Sequence, residues 1–150
     1  MRPFVPPPIL TLILAIVMWL VAHFVAGWRF DFPFRLIVAA VVFAAGVAMP
    51  VLSFRNFQRA GTTASPLEID KASSLVITGT YAISRNPMYL GLLLILTAWT
   101  IALGQALNLV FPVVFVVWIT VFQIGPEERM LRDKFGEAYA AYCQRVRRWI

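Results

Sequence analysis

The sequence predicts an all-α integral membrane protein, with four transmembrane helices followed by a C-terminal amphipathic helix on the cytoplasmic side. Three observations carry this. The chain is 61% apolar and only 13% charged, whereas about a quarter of the residues in a soluble domain are charged. Its apolar residues gather in four blocks, at about 9–28, 34–52, 87–103 and 109–124, each near the roughly 17 to 25 residues needed to cross a hydrocarbon core. Its cations are also sorted by side. With four spans, both termini share one face with the loop 53–86, and that face holds eleven of the thirteen Lys and Arg residues, leaving Arg29 and Arg35 opposite. The positive-inside rule puts the eleven in the cytoplasm.

The first block follows Arg2, but its apolar run is longer than the 7 to 15 or so residues of a signal peptide and no small-x-small site follows, so it reads as a retained span. Three prolines at 6–8 form a stiff extended lead-in that fixes where the helix begins. His23, the lone histidine, reads as a neutral, interfacial or internally bonded group and not as a catalytic one. "RFDFP" at 29–33 is a tight turn. In the second block Ala40, Ala44 and Ala48 recur every four residues, a spacing that lets helix backbones pack closely in lipid.

The loop 53–86 is polar and contains Gly61, Pro66 and Gly79. Loops of this length are usually functional or disordered, and "LVI" at 75–77 with Tyr81 suggests that this one folds back on the membrane face. Spans three and four are short and are joined by "GQALN" at 104–108, with Gly104 suited to a helix C-terminus and Asn108 to the next N-cap. From Pro126 to 148 the chain reads as a tail helix. Proline suits its first turn, and Glu127 and Glu128 favour its dipole. Leu131, Phe135, Ala138, Tyr139, Tyr142, Val146 and Trp149 form an apolar stripe along it.

Several function classes drop out. The net charge of +6 is explained by orientation and by attraction to anionic membrane lipids, without nucleic acid. One cysteine, Cys143, allows no internal disulfide and no thiolate metal cluster. Walker, GxGxxG and GxSxG motifs are missing from the sequence.

"YAISRNPMYLG" at 81–91 sets an arginine, an asparagine and a proline against the third span. Taken alone, Asn86 caps a helix that starts at Pro87, and Arg85 sits among headgroups. Taken with the topology, the start of span three and the end of span four meet at one cytoplasmic patch. Arg85, Asn86 and Tyr89 then lie at the depth of Gln123, Glu127 and Glu128, where a polar cofactor can meet an acceptor entering from lipid.

"TGTYAISRNPMYLG", followed one helical hairpin later by "PEERMLRDKFGEAYAAYCQRVRRWI", resembles the isoprenylcysteine carboxyl methyltransferase and phospholipid methyltransferase superfamily in its small bacterial form. "AGTTASP" at 60–66 is similar to that group's loop. The resemblance covers about 57–150, and the first two spans match in hydropathy alone. It implies an S-adenosylmethionine-dependent methyltransferase of the bacterial inner membrane, acting on a lipid-like or prenylated acceptor. It further implies that Tyr81, Arg85, Asn86, Pro87, Tyr89, Gly91, Glu127 and Glu128 bind the cofactor and that Arg85, Glu127 and Glu128 are catalytic. Asn86 stands where eukaryotic carboxyl methyltransferases usually have histidine, Thr80 and Ala82 replace their commoner proline and arginine, and the sequence given lacks their extended tail.

For carboxyl methylation of a prenyl-cysteine-like substrate, the leading expectation, Arg85 orients the carboxylate. For N-methylation of a phospholipid amine, Glu127 or Glu128 takes the proton. An NADPH-dependent membrane reductase and a non-catalytic bundle subunit are the alternatives. Acceptor identity and oligomeric state stay open.

Overall fold

The computed structural model describes residues 5–61 and 74–150; Arg2, Lys71, Pro66 and most of "AGTTASP" lie outside the described residues. The described chain is helical: α1 Pro7–Phe24, α2 Arg35–Arg59, a 3₁₀ turn Gly79–Ala82, α3 Pro87–Leu103, a 3₁₀ turn Ala106–Leu109, α4 Val110–Ile119, a π turn Thr120–Ile124 and α5 Gly125–Arg145. Three helical stretches, α1, α2 and the continuous run Ala106–Arg145, are long and apolar enough to cross a membrane, as in an integral membrane protein; α3 is a shorter apolar helix.

The core is narrow because most apolar side chains face outward. Leu14 and Met18 of α1 meet Tyr89 and Leu96 of α3 and Phe115 and Ile119 of α4. Leu12, Ile16, Ile37, Val41, Val113 and Val117 are exposed, as side chains that contact hydrocarbon must be. His23 is exposed as well and stacks on Trp19 at 5.5 Å.

α2 packs on α3 through glycine. A Cβ on Gly91 would lie 2.6 Å from the Gly46 carbonyl oxygen and 2.6 Å from Pro50 Cδ, closer than real atoms approach. Pro50 has no N–H to return to Gly46, its partner one turn back. The face of α2 turned inward is therefore Ala39, Gly46 and Ser53, whereas the expected packing stripe of Ala40, Ala44 and Ala48 is exposed. α2 also continues to Arg59, through residues expected in the loop.

At one end of the bundle the two short connections pair with each other. Gly104 ends α3 in the left-handed region, φ 62° and ψ 34°. Phe30 N donates to its carbonyl at 2.9 Å, and Ala106 N donates to Trp28 O at 2.8 Å. Asn108 caps no helix: it is buried in the 3₁₀ turn, and its Nδ2 donates to Met18 O at 3.0 Å.

At the other end the expected separate tail helix is corrected twice. α4, the π turn and α5 run on without a break, because an α-helical register would drive the Pro126 ring into the carbonyl one turn back; the wider π turn relieves this. Gly125 N donates to Thr120 O, five residues back. α5 then kinks at Gly136, φ 49° and ψ −122°, a conformation that glycine tolerates and side chains disfavour. Helix ends at Arg145, not at 148. The kink aims the C-terminus back at the bundle.

Candidate functional site

The site grows from the lead-in to α3. Ser84 is fully buried, and its Oγ accepts from Asn86 N at 3.1 Å. Asn86 occupies the N-cap position but makes no side-chain cap; its Nδ2 donates to Arg148 O at 3.0 Å. Pro87 is buried in the first helical turn. Tyr89 follows, and its hydroxyl donates to Glu127 Oε1 at 2.7 Å. Gln123 Nε2 donates to the same oxygen. The π turn helps set this up, since it rotates Gln123 and Ile124 inward, where both are buried. The start of α3 and the start of α5 thus meet through side chains.

Beside that pair lies a second cluster. Arg85 Nη2 is 3.2 Å from Glu128 Oε1, and both side chains are mostly buried. Arg148 grips the same carboxylate with two bonds, Nε to Oε1 at 3.0 Å and Nη2 to Oε2 at 2.7 Å. Arg85 Nη1 also contacts Cys143 Sγ. A tyrosine layer closes the side toward the 3₁₀ turn: Tyr142 OH donates to the Tyr81 carbonyl at 2.6 Å, and the Tyr81 ring stands edge-on to Phe57. Tyr139, Tyr142 and Val146 form a small core with Leu131, Phe135 and Leu75.

The electrostatics of the two glutamates differ. Burial pushes the Glu127 carboxyl above the ordinary carboxylate range, partly offset by the hydrogen bonds from Tyr89 and Gln123, and the neighbouring Glu128 charge raises it further. Glu128 lies between two guanidinium groups. Two buried atoms near these carboxylates, Arg85 Nε and Gln123 Oε1, have no hydrogen-bond partner among the described residues.

Of the eight residues expected here, Tyr89 and Glu127 are in direct contact, as are Arg85 and Glu128; Asn86 and Tyr81 are tied in by backbone carbonyls. Gly91 is turned toward Gly46 and Pro50 of α2. Ser84, Tyr139, Tyr142, Cys143 and Arg148 join the cluster without having been expected at it. The available signal was Gly136 inside an amphipathic helix, followed by a basic and aromatic end.

An all-helical membrane protein with a paired acid–phenol and acid–guanidinium cluster where two helices begin is the class that fold and site define. The family pattern described as phospholipid methyltransferase matches residues 34–138, and the chain belongs to that family. The match reaches back through α2, beyond the stretch whose motifs carried the resemblance. An uncharacterised protein of Haemophilus influenzae is 51% identical over 63 residues, 42% of this chain and 100% of that protein. Two Delta(14)-sterol reductases, LBR of Gallus gallus and TM7SF2 of Mus musculus, are each 32% identical over 75 residues, 48% of this chain. The matched segment is 12% of the first reductase and 18% of the second. No solved structure matches the chain.

Proposed function

We propose that the chain is an S-adenosylmethionine-dependent methyltransferase that modifies a lipid-like acceptor at the cytoplasmic face of a bacterial inner membrane. In this reading α1, α2, α3 and the run through α4 each span the bilayer, and α5 lies at the cytoplasmic surface. The excess of cations on that side supports the orientation.

The observation that carries the reading is the meeting of Tyr89 with Glu127 beside Arg85 with Glu128. The residues suit the donor. Among the described residues Arg85 Nε is a buried cationic donor lacking a partner and Gln123 Oε1 a buried acceptor lacking one; a zwitterion with ribose hydroxyls offers the complement of each. Glu127, half-buried, is a natural counter-charge for a cation. Bound there, S-adenosylmethionine supplies a methyl group on a sulfonium. The chain's part is to align that group with the acceptor and keep water out, effects worth roughly 7 to 11 kcal/mol in favourable cases.

An amine headgroup is the acceptor we favour over a prenyl-cysteine carboxylate. Arg85 Nη1 and Nη2 already contact Cys143 and Glu128, so a two-bond grip on an acceptor carboxylate would require breaking one of those contacts. The raised Glu127 carboxyl suits the opposite task, which is to accept the proton that an amine sheds as its nitrogen gains a methyl group.

The test is transfer from labelled S-adenosylmethionine to phosphatidylethanolamine and, separately, to prenyl-cysteine analogues, with products identified by mass. Label in a methylated headgroup is the expected result; a base-labile ester would instead establish carboxyl methylation. The sterol reductase relatives motivate a parallel titration with NADPH. Saturable NADPH binding without S-adenosylmethionine binding would favour reduction, and binding of neither a non-catalytic subunit.

A further inference from the structure

The last residues, 146–150, form a strap. Val146 leaves α5 in extended backbone, φ −125° and ψ 130°, and the chain runs back against the lead-in to α3. Arg85 N donates to Arg147 O at 3.0 Å, and Asn86 Nδ2 and Ser84 Oγ donate to Arg148 O at 3.0 and 3.3 Å. Trp149 Nε1 donates to Thr120 Oγ1 in the π turn at 3.2 Å, and its ring packs on the main core. One short segment therefore ties together the α3 lead-in, the π turn and the start of α5. It lies past residue 138, where the family match ends.

The side chain of Arg148 makes the tie specific. Glu128 Oε1 faces both Arg85 Nη2 and Arg148 Nε, while Oε2 faces Arg148 Nη2 alone among the described residues. The guanidinium fork fixes the plane of the carboxylate. With that fork removed, Glu128 can rotate and draw Arg85 into a two-bond pairing of its own, turning Arg85 Nε, which has no hydrogen-bond partner among the described residues, away from its present direction.

We propose that Arg148 is a positioning residue of the donor site: by gripping both oxygens of Glu128 it sets the orientation of Arg85, and the strap it anchors holds the α3 lead-in against α5. This rests on S-adenosylmethionine being the ligand of that site. The role is one of geometry, so lysine, which keeps the charge but not the fork, replaces it only in part.

The experiment uses the full chain in lipid nanodiscs, with S-adenosylmethionine affinity measured by calorimetry and hydrogen exchange followed in the peptide containing Arg85, for wild type, Arg148→Met, Arg148→Lys and Arg147→Ala. Arg148→Met is expected to weaken binding by about tenfold or more, the scale of a lost charge-assisted pair, and to speed exchange at the Arg85 amide before any ligand is added. It should raise KM for S-adenosylmethionine more than it lowers kcat. Arg148→Lys should fall between, and it serves alone if the methionine variant does not fold. Arg147→Ala removes the same charge from an exposed neighbour and leaves its carbonyl in place, so it should bind as wild type does. Wild-type affinity in Arg148→Met, or equal weakening in Arg147→Ala, overturns the proposal. A wild type that binds no S-adenosylmethionine overturns the methyl-donor reading itself, and the donor role of Arg148 with it.

Discussion

The two ends of the helical bundle use similar residue types for different purposes. At the end formed by the 25–34 and 104–109 connections, the polar side chains bond mainly to backbone: Arg29 Nη2 donates to Ala22 O at 2.7 Å, Arg35 Nη1 to Phe30 O at 3.0 Å, Gln105 Nε2 to Val25 O at 3.2 Å and Asn108 Nδ2 to Met18 O. The bond to Ala22 O satisfies a carbonyl that the end of α1 leaves open, and the others hold the turns in place. The one carboxylate there, Asp31, is exposed and pairs with Arg35 Nη1 at 3.3 Å. At the other end Arg85, Arg148, Tyr89 and Gln123 converge on two carboxylates. Charge held against backbone is architecture; charge shared among titratable side chains can respond to a ligand or a proton. Perturbations at the first end should therefore act on stability, and perturbations at the second on turnover.

The largest effect is expected at Glu127. Glu127→Gln keeps the shape and a hydrogen-bond acceptor for Tyr89 but abolishes proton acceptance, and general bases typically contribute 10² to 10⁴-fold. We expect a fall in methyl transfer of about that size. Thermal melting should be unchanged or slightly higher, because a half-buried charge is removed. A variant that loses stability instead, while keeping turnover per folded molecule, would place Glu127 with the architectural groups and erase the contrast between the ends.

Much of this contrast was legible in the sequence. Span lengths and charge sorting predicted that the start of α3 and the end of α4 would share a face, and the Tyr89–Glu127 contact realises that convergence. The parts that were not legible depend on single backbone decisions. Nothing in the period of 126–148 reveals that Gly136 takes a positive φ and turns Arg148 back toward Glu128. An alanine stripe on α2 looked like the packing face, yet Gly46 beside Pro50 permits a closer approach and wins. Asn86 sits at an N-cap position and Asn108, expected at one, lies inside a 3₁₀ turn; both were recruited by distant carbonyls that only the tertiary fold brings near.

Gly91 provides the next largest test, since it lies in the sequence stretch that resembles a donor-binding motif while its α-carbon faces α2. Gly91→Ala places a methyl group 2.6 Å from the Gly46 carbonyl oxygen and from Pro50 Cδ, and neither a backbone atom nor a proline ring can step aside without moving a helix. Overpacking of this kind costs about 1 to 3 kcal/mol. A lowered melting temperature with donor affinity intact in the surviving folded fraction is expected. Lost affinity at unchanged stability would transfer Gly91 to the binding site. At the opposite end, Gly104→Ala should cost at least as much, because it adds about 1 to 2 kcal/mol for the left-handed conformation to the overlap of its new Cβ with Arg35 Nη1 and, at 2.8 Å, with Phe30 O. Its specific activity should match wild type.

The smallest and most diagnostic shift concerns pH. Glu127 has a folded-state pKa above its ordinary value of 4.5, so it binds its proton more tightly in the folded protein than in the unfolded one. Its contribution to stability is therefore full below about pH 4.5 and declines as pH rises through the folded value. Activity runs the other way, because the proton-accepting form appears only as pH rises through that same value. The acid limb of kcat should consequently lie above the ordinary carboxylate range. Tyr89→Phe deletes a hydroxyl that favours the ionised carboxylate and should move the limb to still higher pH, with little change in the plateau rate. An acid limb that stays put in Tyr89→Phe would mean that the titrating group is not the one held by that phenol, and Glu127 would then be a counter-charge for the donor instead of the proton acceptor.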